Sequence, residues 1–329
     1  MPFKHNANRR HYIGKQKFKL KNWREYEAGL RQRGSITFWM SDEAIAAWHA
    51  VKRRARGGQP RYSGMAIETV LTLGLVLGLP LRQIEGFVTS LFKLMQLKLP
   101  VPDHTTSSRR SGHSRRNMQQ AVSSTSSDRP LHVIVDSTGL KIFGTGQWLE
   151  EKHGVKTRRQ WRKLHIAIDA DSGAIVAEVL TDQNTSDVSQ LESLLDQIQT
   201  PIDQFTADGA YDGQSSYDKI RQHSASAKIV IPPRPQSFVK EIHGPPTQRE
   251  AHVNSVETDG RMRWQTYNDY GQRSLVETTM SRYKRNGGHR LNARSFINQQ
   301  AEASRRCSIL NRKLVCARPD SVRVKQTTT

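Results

Sequence analysis

Cysteine is scarce in this 329-residue chain: there are two, Cys307 and Cys316. Two thiols by themselves make neither a disulfide scaffold nor a four-ligand zinc site, so they read as small core or surface residues of a reduced protein. A long apolar run is also missing. The most apolar stretch, TVLTLGLVLGLPL at 69–81, carries Gly74, Gly78 and Pro80 and is shorter than the about 20 residues that cross a bilayer. The basic start, MPFKHNANRRHYIGKQKFKLK, has no apolar segment directly after it and does not read as a signal peptide. No G-x-x-x-x-G-K-[ST] loop occurs, which disfavours an ATP-driven helicase. His113, His153, His165 and His289 stand at no metal-ligand spacing. Together these absences point to a soluble, cytoplasmic protein.

Acidic residues are few as well. Against 51 Lys and Arg there are 30 Asp and Glu, a formal net charge of +21 and a pI near 10.3. A soluble protein this basic most often binds nucleic acid. With 35% hydrophobic residues the chain can bury a real core, and its length suits two ordinary domains.

Residues 1–34 form a basic arm with five Lys and five Arg against two Glu, interleaved with Tyr12, Trp23 and Tyr26. Such a run is either a solvated tail or a nucleic-acid-binding arm. From Ser41 the pattern becomes helical. SDEAIAAWHAVKRRARGG opens on a capping serine and stops at Gly57-Gly58, and two further helical segments follow on either side of Pro80. Asp103 then caps a short helix bearing Thr105, Thr106, Ser107, Arg109 and Arg110. That order, over 35–110, reads as a helix-turn-helix-like DNA-binding domain, with a plain helical bundle as the alternative. Residues 111–130, rich in Ser and Arg, read as a linker.

Beyond the linker the texture changes to strands. LHVIVDSTGL and KLHIAIDADSGAIVAEVLTD predict three strands, SDVSQLESLLDQI a helix, and DQFTADGAYDG a strand ending near Asp208. GQSSYDKIRQHS predicts a helix and AKIVIPP a fifth strand. An irregular basic insertion over 232–269 then leads into two more helical segments. The order β-β-β-α-β-α-β-α is that of a ribonuclease-H-like α/β fold, a mixed sheet with helices on both faces, here over 131–315 with a tail at 316–329.

In that fold the first and fourth strands are central neighbours, so Asp136 and Asp208 would meet near their ends. The helix YGQRSLVETTMSRYK at 270–284 would bring a third carboxylate. At about 100° per residue, Tyr270, Arg273, Glu277 and Lys284 fall within one narrow stripe. Leu275, Val276, Thr279, Met280 and Tyr283 fall in a separate apolar arc that reads as the buried face. Three crowded carboxylates need cations, and hard oxygen ligands suit Mg²⁺. Two such ions about 4 Å apart, with Mn²⁺ as substitute, serve phosphodiester cleavage. Glu277 would then hold metal while Arg273, Lys284 and Tyr270 contact phosphates. The bland alternatives are a strand-end acid at Asp136, a turn-forming Asp208 with Asp212 competing for its role, and a surface ion pair between Arg273 and Glu277. Asp169, Asp171, Asp182 and Asp187 read as turn and cap residues. The basic loop KHGVKTRRQWRK, with Arg158, Arg159, Arg162 and Lys163, reads as following the DNA backbone.

Y-GQ-R-SLV-E-TTMSRY-K, together with VIVDSTGLK and TADGAYDG, resembles the DDE transposases of bacterial insertion sequences. The likeness is to the insertion-sequence-five type of the insertion-sequence-four superfamily, over about 131–315 and more loosely 35–110. The resemblance implies a metal-binding catalytic triad of Asp136, Asp208 and Glu277, with Tyr270, Arg273 and Lys284 on the transposon end, and it offers Trp264 in RMRWQTY as a candidate for stacking on an unpaired base. It also implies double-stranded DNA partners (terminal inverted repeats and target), 3′-end cleavage and strand transfer, and a homo-oligomer in the synaptic complex. The location implied is the bacterial cytoplasm, on the nucleoid. A nuclease of the same fold that cuts without joining, and a non-catalytic DNA-binding regulator, remain the rival readings.

Overall fold

In a computed structural model, the residues described are 18–35, 41–52, 54, 57–113, 129–142, 161–234 and 246–324. The chain falls into two compact units, a larger one over Trp39–Arg312 and a smaller one formed by Met1–Phe38 with Lys313–Thr329.

The larger unit is organised by a mixed sheet. β2 (Leu131–Ile142), β3 (Trp161–Asp169) and β4 (Ile175–Asp182) form an antiparallel meander, and β5 (Ile202–Thr206) and β6 (Lys228–Val230) add in parallel on the other side of β2. The strand order is β4-β3-β2-β5-β6, so the first and fourth strands of this unit are neighbours, as expected from the sequence. Two-residue β7 (Arg290–Leu291) also pairs with the far end of β2, an addition the sequence pattern does not signal.

Alternation along the strands sorts two cores onto opposite faces. Val133, Val135 and Ala167 pack with Leu191, Leu194 and Leu195 of α6 (Leu191–Leu195) and with Tyr217 and Ile220 of α7 (Gln214–His223). Ile134, Leu140, Leu164 and Ile166 pack with α10 (Ser274–Gly287) and α11 (Phe296–Cys316). The i, i+3, i+4, i+7 set Val276, Thr279, Met280 and Tyr283 forms the buried face of α10. Leu275, one position off that set, is 38% exposed, so the apolar arc is narrower than the sequence pattern predicts.

The insertion is not irregular throughout. Thr247 and Glu250 form a capping box that starts α8 (Gln248–Asp259), and α9 (Arg261–Tyr267) follows at Gly260. The helix expected over 41–58 is also cut short: α2 spans only Asp42–Ala46. Trp48 turns inward to 1% exposure, its indole N–H donates to the Pro100 carbonyl at 2.8 Å, and His49 bridges Tyr62. Tertiary burial of the indole overrides helical propensity there.

α3 (Gly64–Leu77) and α4 (Leu81–Leu94) meet at an angle of 108°. The chain turns on Gly78, whose φ of +67° favours a residue without a Cβ. Among the described residues no single helix is long and apolar enough to cross a membrane. α5 (His104–Arg110) is capped by Asp103, which accepts from the backbone N–H groups and the hydroxyls of Thr105 and Thr106. A buried ion pair, Arg305 Nε to Glu68 Oε2 at 2.8 Å, ties α11 to α3, and Arg305 also donates to the Ser111 carbonyl.

In the smaller unit, β1 (Phe18–Leu20) pairs antiparallel with β8 (Ser321–Arg323). Arg33 of α1 (Trp23–Arg33) donates to the carbonyls of Lys313 and Ala317, so the basic arm and the tail fold together instead of standing apart. Gly29 is required by close approach: a Cβ there would lie 2.2 Å from the Cys316 carbonyl oxygen.

Removing one partner of the buried Arg305–Glu68 pair leaves an uncompensated charge, at a cost of about 3–5 kcal/mol. Arg305→Met should lose that much stability in urea unfolding, and adding Glu68→Gln should restore a large part of it.

Candidate functional site

The placement of the acids follows from strand pairing. β2 and β5 run parallel with Ile134 opposite Thr206, and each strand direction continues two residues to an aspartate, Asp136 and Asp208. Adjacent strands lie about 4.8 Å apart, so the two carboxyl-bearing residues stand at one level on neighbouring chains. Asp136 shares its face of β2 with Ile134, Thr138 and Leu140, the face covered by α10, and α10 supplies Glu277.

Each acid already has partners. Asp136 Oδ1 accepts the Ser137 N–H at 2.7 Å, and Oδ2 accepts Arg273 Nη2 at 2.9 Å. Arg273 Nη1 donates to Glu277 Oε1 at 2.7 Å. The i,i+4 pair foreseen as a bland alternative therefore exists, but its arginine also reaches across to β2. Asp208 caps a short 3₁₀ turn, Gly209–Tyr211, by accepting the Ala210 N–H. Asp212 does not compete for a place in the site: it is buried and held by Arg249 and by the backbone N–H of Arg234.

Burial pushes the Asp136 carboxyl up to about 6. Arg273 and the Ser137 N–H pull it down, and the charges of Asp208 and Glu277 add to the rise. A carboxyl raised this way marks crowded negative charge in a partly dry place, which is a property of functional sites. The donor set is hard oxygen, the chemistry that suits a divalent cation such as Mg²⁺, and Arg273 stands as a cation between two of the three acids. As placed, no three acidic, imidazole or thiol groups among the described residues gather closely enough to hold a metal ion.

Tyr270 and Arg273 lie not on the α-helix but on a 3₁₀ turn, Tyr270–Arg273, entered through Asp269 at a φ of +49°. Burial pushes the Tyr270 phenol up to about 12, so at neutral pH it keeps its proton and can donate a hydrogen bond. Its ring leans on Trp264, at 5.5 Å between centroids. Trp264 is fully buried and donates to His252 Nδ1 at 2.9 Å, while His252 Nε2 donates to the Ile229 carbonyl of β6 at 2.7 Å. The tryptophan is thus a support for Tyr270 and is not open for base stacking. Lys284 donates to Thr138 Oγ1 at 2.6 Å, and burial lowers its pKa. A cleft of about 480 Å³ is lined by Glu277, Met280, Ser281, Lys284, Arg285 and His289. Arg285 and His289 carry no motif, and only their place on this cleft singles them out.

Several basic residues expected on DNA have internal partners. Arg162 and Lys163 are strand residues of β3, not loop residues, and they point to opposite faces. Arg162 donates to Gln299 and stacks over Phe296 at 4.9 Å, while Lys163 contacts Asp187 at 3.2 Å and donates to the Thr185 carbonyl. Asp187 makes no side-chain cap; it faces Lys163 and the buried His165, whose imidazole burial pushes down to about 4. Asp169 and Asp182 do hold turns, through Ser172 and through Asn184 and Thr185. Thr105 and Thr106 are tied to Asp103, Arg110 donates to the Tyr62 carbonyl, and Arg109 is exposed. Arg158 and Arg159 lie outside the described residues.

Two family models, each described as a transposase DDE domain, match this chain, one over 31–145 and the other over 127–312. The second spans more than half of the 329 residues. The chain belongs to the DDE transposase family. Transposase DDE domains are polynucleotidyl transferases, acting on DNA with divalent metal, and Asp136, Asp208 and Glu277 all lie inside the matched 127–312 segment.

The raised carboxyl has a stability signature. With its folded pKa near 6 and its unfolded pKa near the ordinary carboxylate value, Asp136 binds its proton more tightly in the native state. Its contribution to stability therefore falls as pH rises from about 4 to about 6, by about 3 kcal/mol, and is flat above that. Urea unfolding of the transposase in EDTA should show Asp136→Asn gaining that amount over wild type at pH 7 and almost nothing at pH 4.

Proposed function

We propose that the chain is a transposase that binds the terminal inverted repeats of its own insertion sequence, cleaves a strand at each 3′ end and joins that end to target DNA. The observation that carries this reading is Arg273 bridging Asp136 of β2 and Glu277 of α10, with Asp208 two residues past the end of the neighbouring β5, within a domain of the DDE family. The sheet order β4-β3-β2-β5-β6 supports a ribonuclease-H-like catalytic fold, and the uninterrupted Y-x₂-R-x₃-E-x₆-K spacing supports the insertion-sequence-four superfamily, to which the insertion-sequence-five type belongs.

Asp136, Asp208 and Glu277 are the residues that would hold Mg²⁺, or Mn²⁺ in its place. Two such ions supply Lewis acidity at the scissile phosphate and an activated attacking oxygen. The remaining work belongs to side chains of this chain. Tyr270, kept protonated, donates to a phosphate oxygen beside the scissile bond. Lys284, Arg285 and His289 bind successive phosphates along the cleft that starts at Glu277. The 108° turn between α3 and α4, the exposed Arg109, the basic arm and Arg158 and Arg159 engage the repeats through backbone phosphates. Bringing two ends together requires at least a homodimer in the synaptic complex.

Purified protein, Mg²⁺ and a plasmid carrying the gene's flanking DNA test this directly, with cleavage mapped to the nucleotide. Asp136→Asn, Asp208→Asn and Glu277→Gln should each slow nicking at the repeat boundaries about a thousandfold or more, since several kcal/mol of transition-state stabilisation is lost. Cutting without joining would favour the nuclease reading, and binding with no Mg²⁺-dependent cutting would favour the regulator.

The cleft makes a separate claim. Arg285→Ala should weaken DNA binding about equally across sequences and reduce the slope of log affinity against log salt by about 1, measured by fluorescence anisotropy. An unchanged slope would take the cleft out of the DNA path.

A further inference from the structure

The guanidinium of Arg273 spends both terminal nitrogens on acids of the site, one on Asp136 Oδ2 and the other on Glu277 Oε1. With Oδ1 already accepting the Ser137 N–H, each oxygen of the Asp136 carboxylate has a donor in place. A divalent cation that takes Asp136 Oδ2 and Glu277 Oε1 would meet a full positive charge within hydrogen-bond distance of both atoms. Guanidinium and metal on the same oxygens repel, so the two arrangements exclude one another.

Arg273 is built to leave. It sits at the end of a 3₁₀ turn, before the first residue of α10, and its Nε is buried without a hydrogen-bond partner among the described residues. Glu277 is more than half exposed, so that limb of the clasp is weak and screened. A DNA phosphate offers the guanidinium a bidentate partner as good as the carboxylates it would give up.

We propose that Arg273 is an exchangeable counter-ion: it closes the site by bridging Asp136 and Glu277, and it swings to a DNA phosphate when an end is bound, freeing both carboxylates for metal. This rests on the reading of those carboxylates as metal ligands. Metal and DNA then bind with positive coupling, and the coupling is reciprocal: DNA tightens metal by the same factor by which metal tightens DNA. A protein without an engaged end holds its carboxylates clasped, which limits cutting of the wrong DNA.

The test counts free Mn²⁺ by electron paramagnetic resonance during titration of wild type, Arg273→Gln and Arg273→Lys. Each is measured with and without a duplex of the gene's flanking sequence, after circular dichroism confirms folding. Wild type should bind Mn²⁺ about tenfold more tightly with the duplex than without it. Arg273→Gln should bind it tightly in both conditions, having nothing to displace. Arg273→Lys, which keeps the charge but cannot fork to two carboxylates, should fall between them. Weaker or unchanged Mn²⁺ binding by Arg273→Gln without DNA would overturn the proposal and leave Arg273 a brace for Glu277. Failure of the underlying reading looks different: Mn²⁺ binding would then be indifferent to Asp136→Asn and Glu277→Gln as well.

Discussion

The parallel pairing of β2 with β5 is the constraint on which the rest of the site depends. Register in a sheet is quantised: a slip of one residue would turn every side chain of β2 to the other face. Ile134 opposite Thr206 fixes both the level at which Asp136 and Asp208 stand and the face from which Asp136 is approached. α10 can reach Asp136 only because that face is also the one covered by Val276, Met280 and Tyr283. Packing and chemistry thus share one alternation, and the apolar residues of β2 set the direction of its single acid.

α11 has a different logic. It buries Gln299, Glu302, Arg305, Arg306 and Asn311, residues that a pattern reading places on a surface. Each is matched: Glu302 accepts the backbone N–H groups of Asn292 and Ala293 and pairs with Arg306, while Asn311 exchanges two hydrogen bonds with the backbone of Ile175. A helix covered on one side by the sheet and tied on another to α3 has little solvent face left, so its polar residues must find partners inside. Ion pairs of this kind add little net stability, but they define one docking geometry, because any other leaves charge unpaired.

How much of this was legible in the sequence follows from the range of the interactions. Strand order, the level of the two aspartates and the buried face of α10 come from local period and element order, which a sequence displays directly. What failed was decided by distant partners. The helix over 41–58 lost to a tryptophan drawn to Pro100, and the apparent loop at 161–163 was already a strand. Trp264 looked available because its partner His252 lies twelve residues upstream, on a helix that the composition of the insertion does not announce. Within the motif itself, spacing placed Tyr270 on a helical stripe, whereas the 3₁₀ turn at Tyr270–Arg273 moves it beside Trp264. Asp208 and Asp212 are indistinguishable as letters. They differ in their partners: Arg249 and the Arg234 backbone N–H hold Asp212, while Asp208 caps the turn Gly209–Tyr211.

The same contrast governs charge. Arg33, Arg162, Lys163, Arg249, Arg305 and Arg306 are engaged inside the fold, so a basic letter is a poor guide to a DNA contact. Yet pairing removes charges of opposite sign in equal number. If all 30 acids were paired, 51 − 30 = 21 cations would still be in excess. Folding can therefore relocate the positive field but cannot abolish it, and a field of that sign raises the encounter rate with a polyanion whatever the local contacts are. Composition speaks reliably for the class of partner because it is conserved through folding. The identity of the contacting residues is not, and has to be read from which cations the fold leaves free.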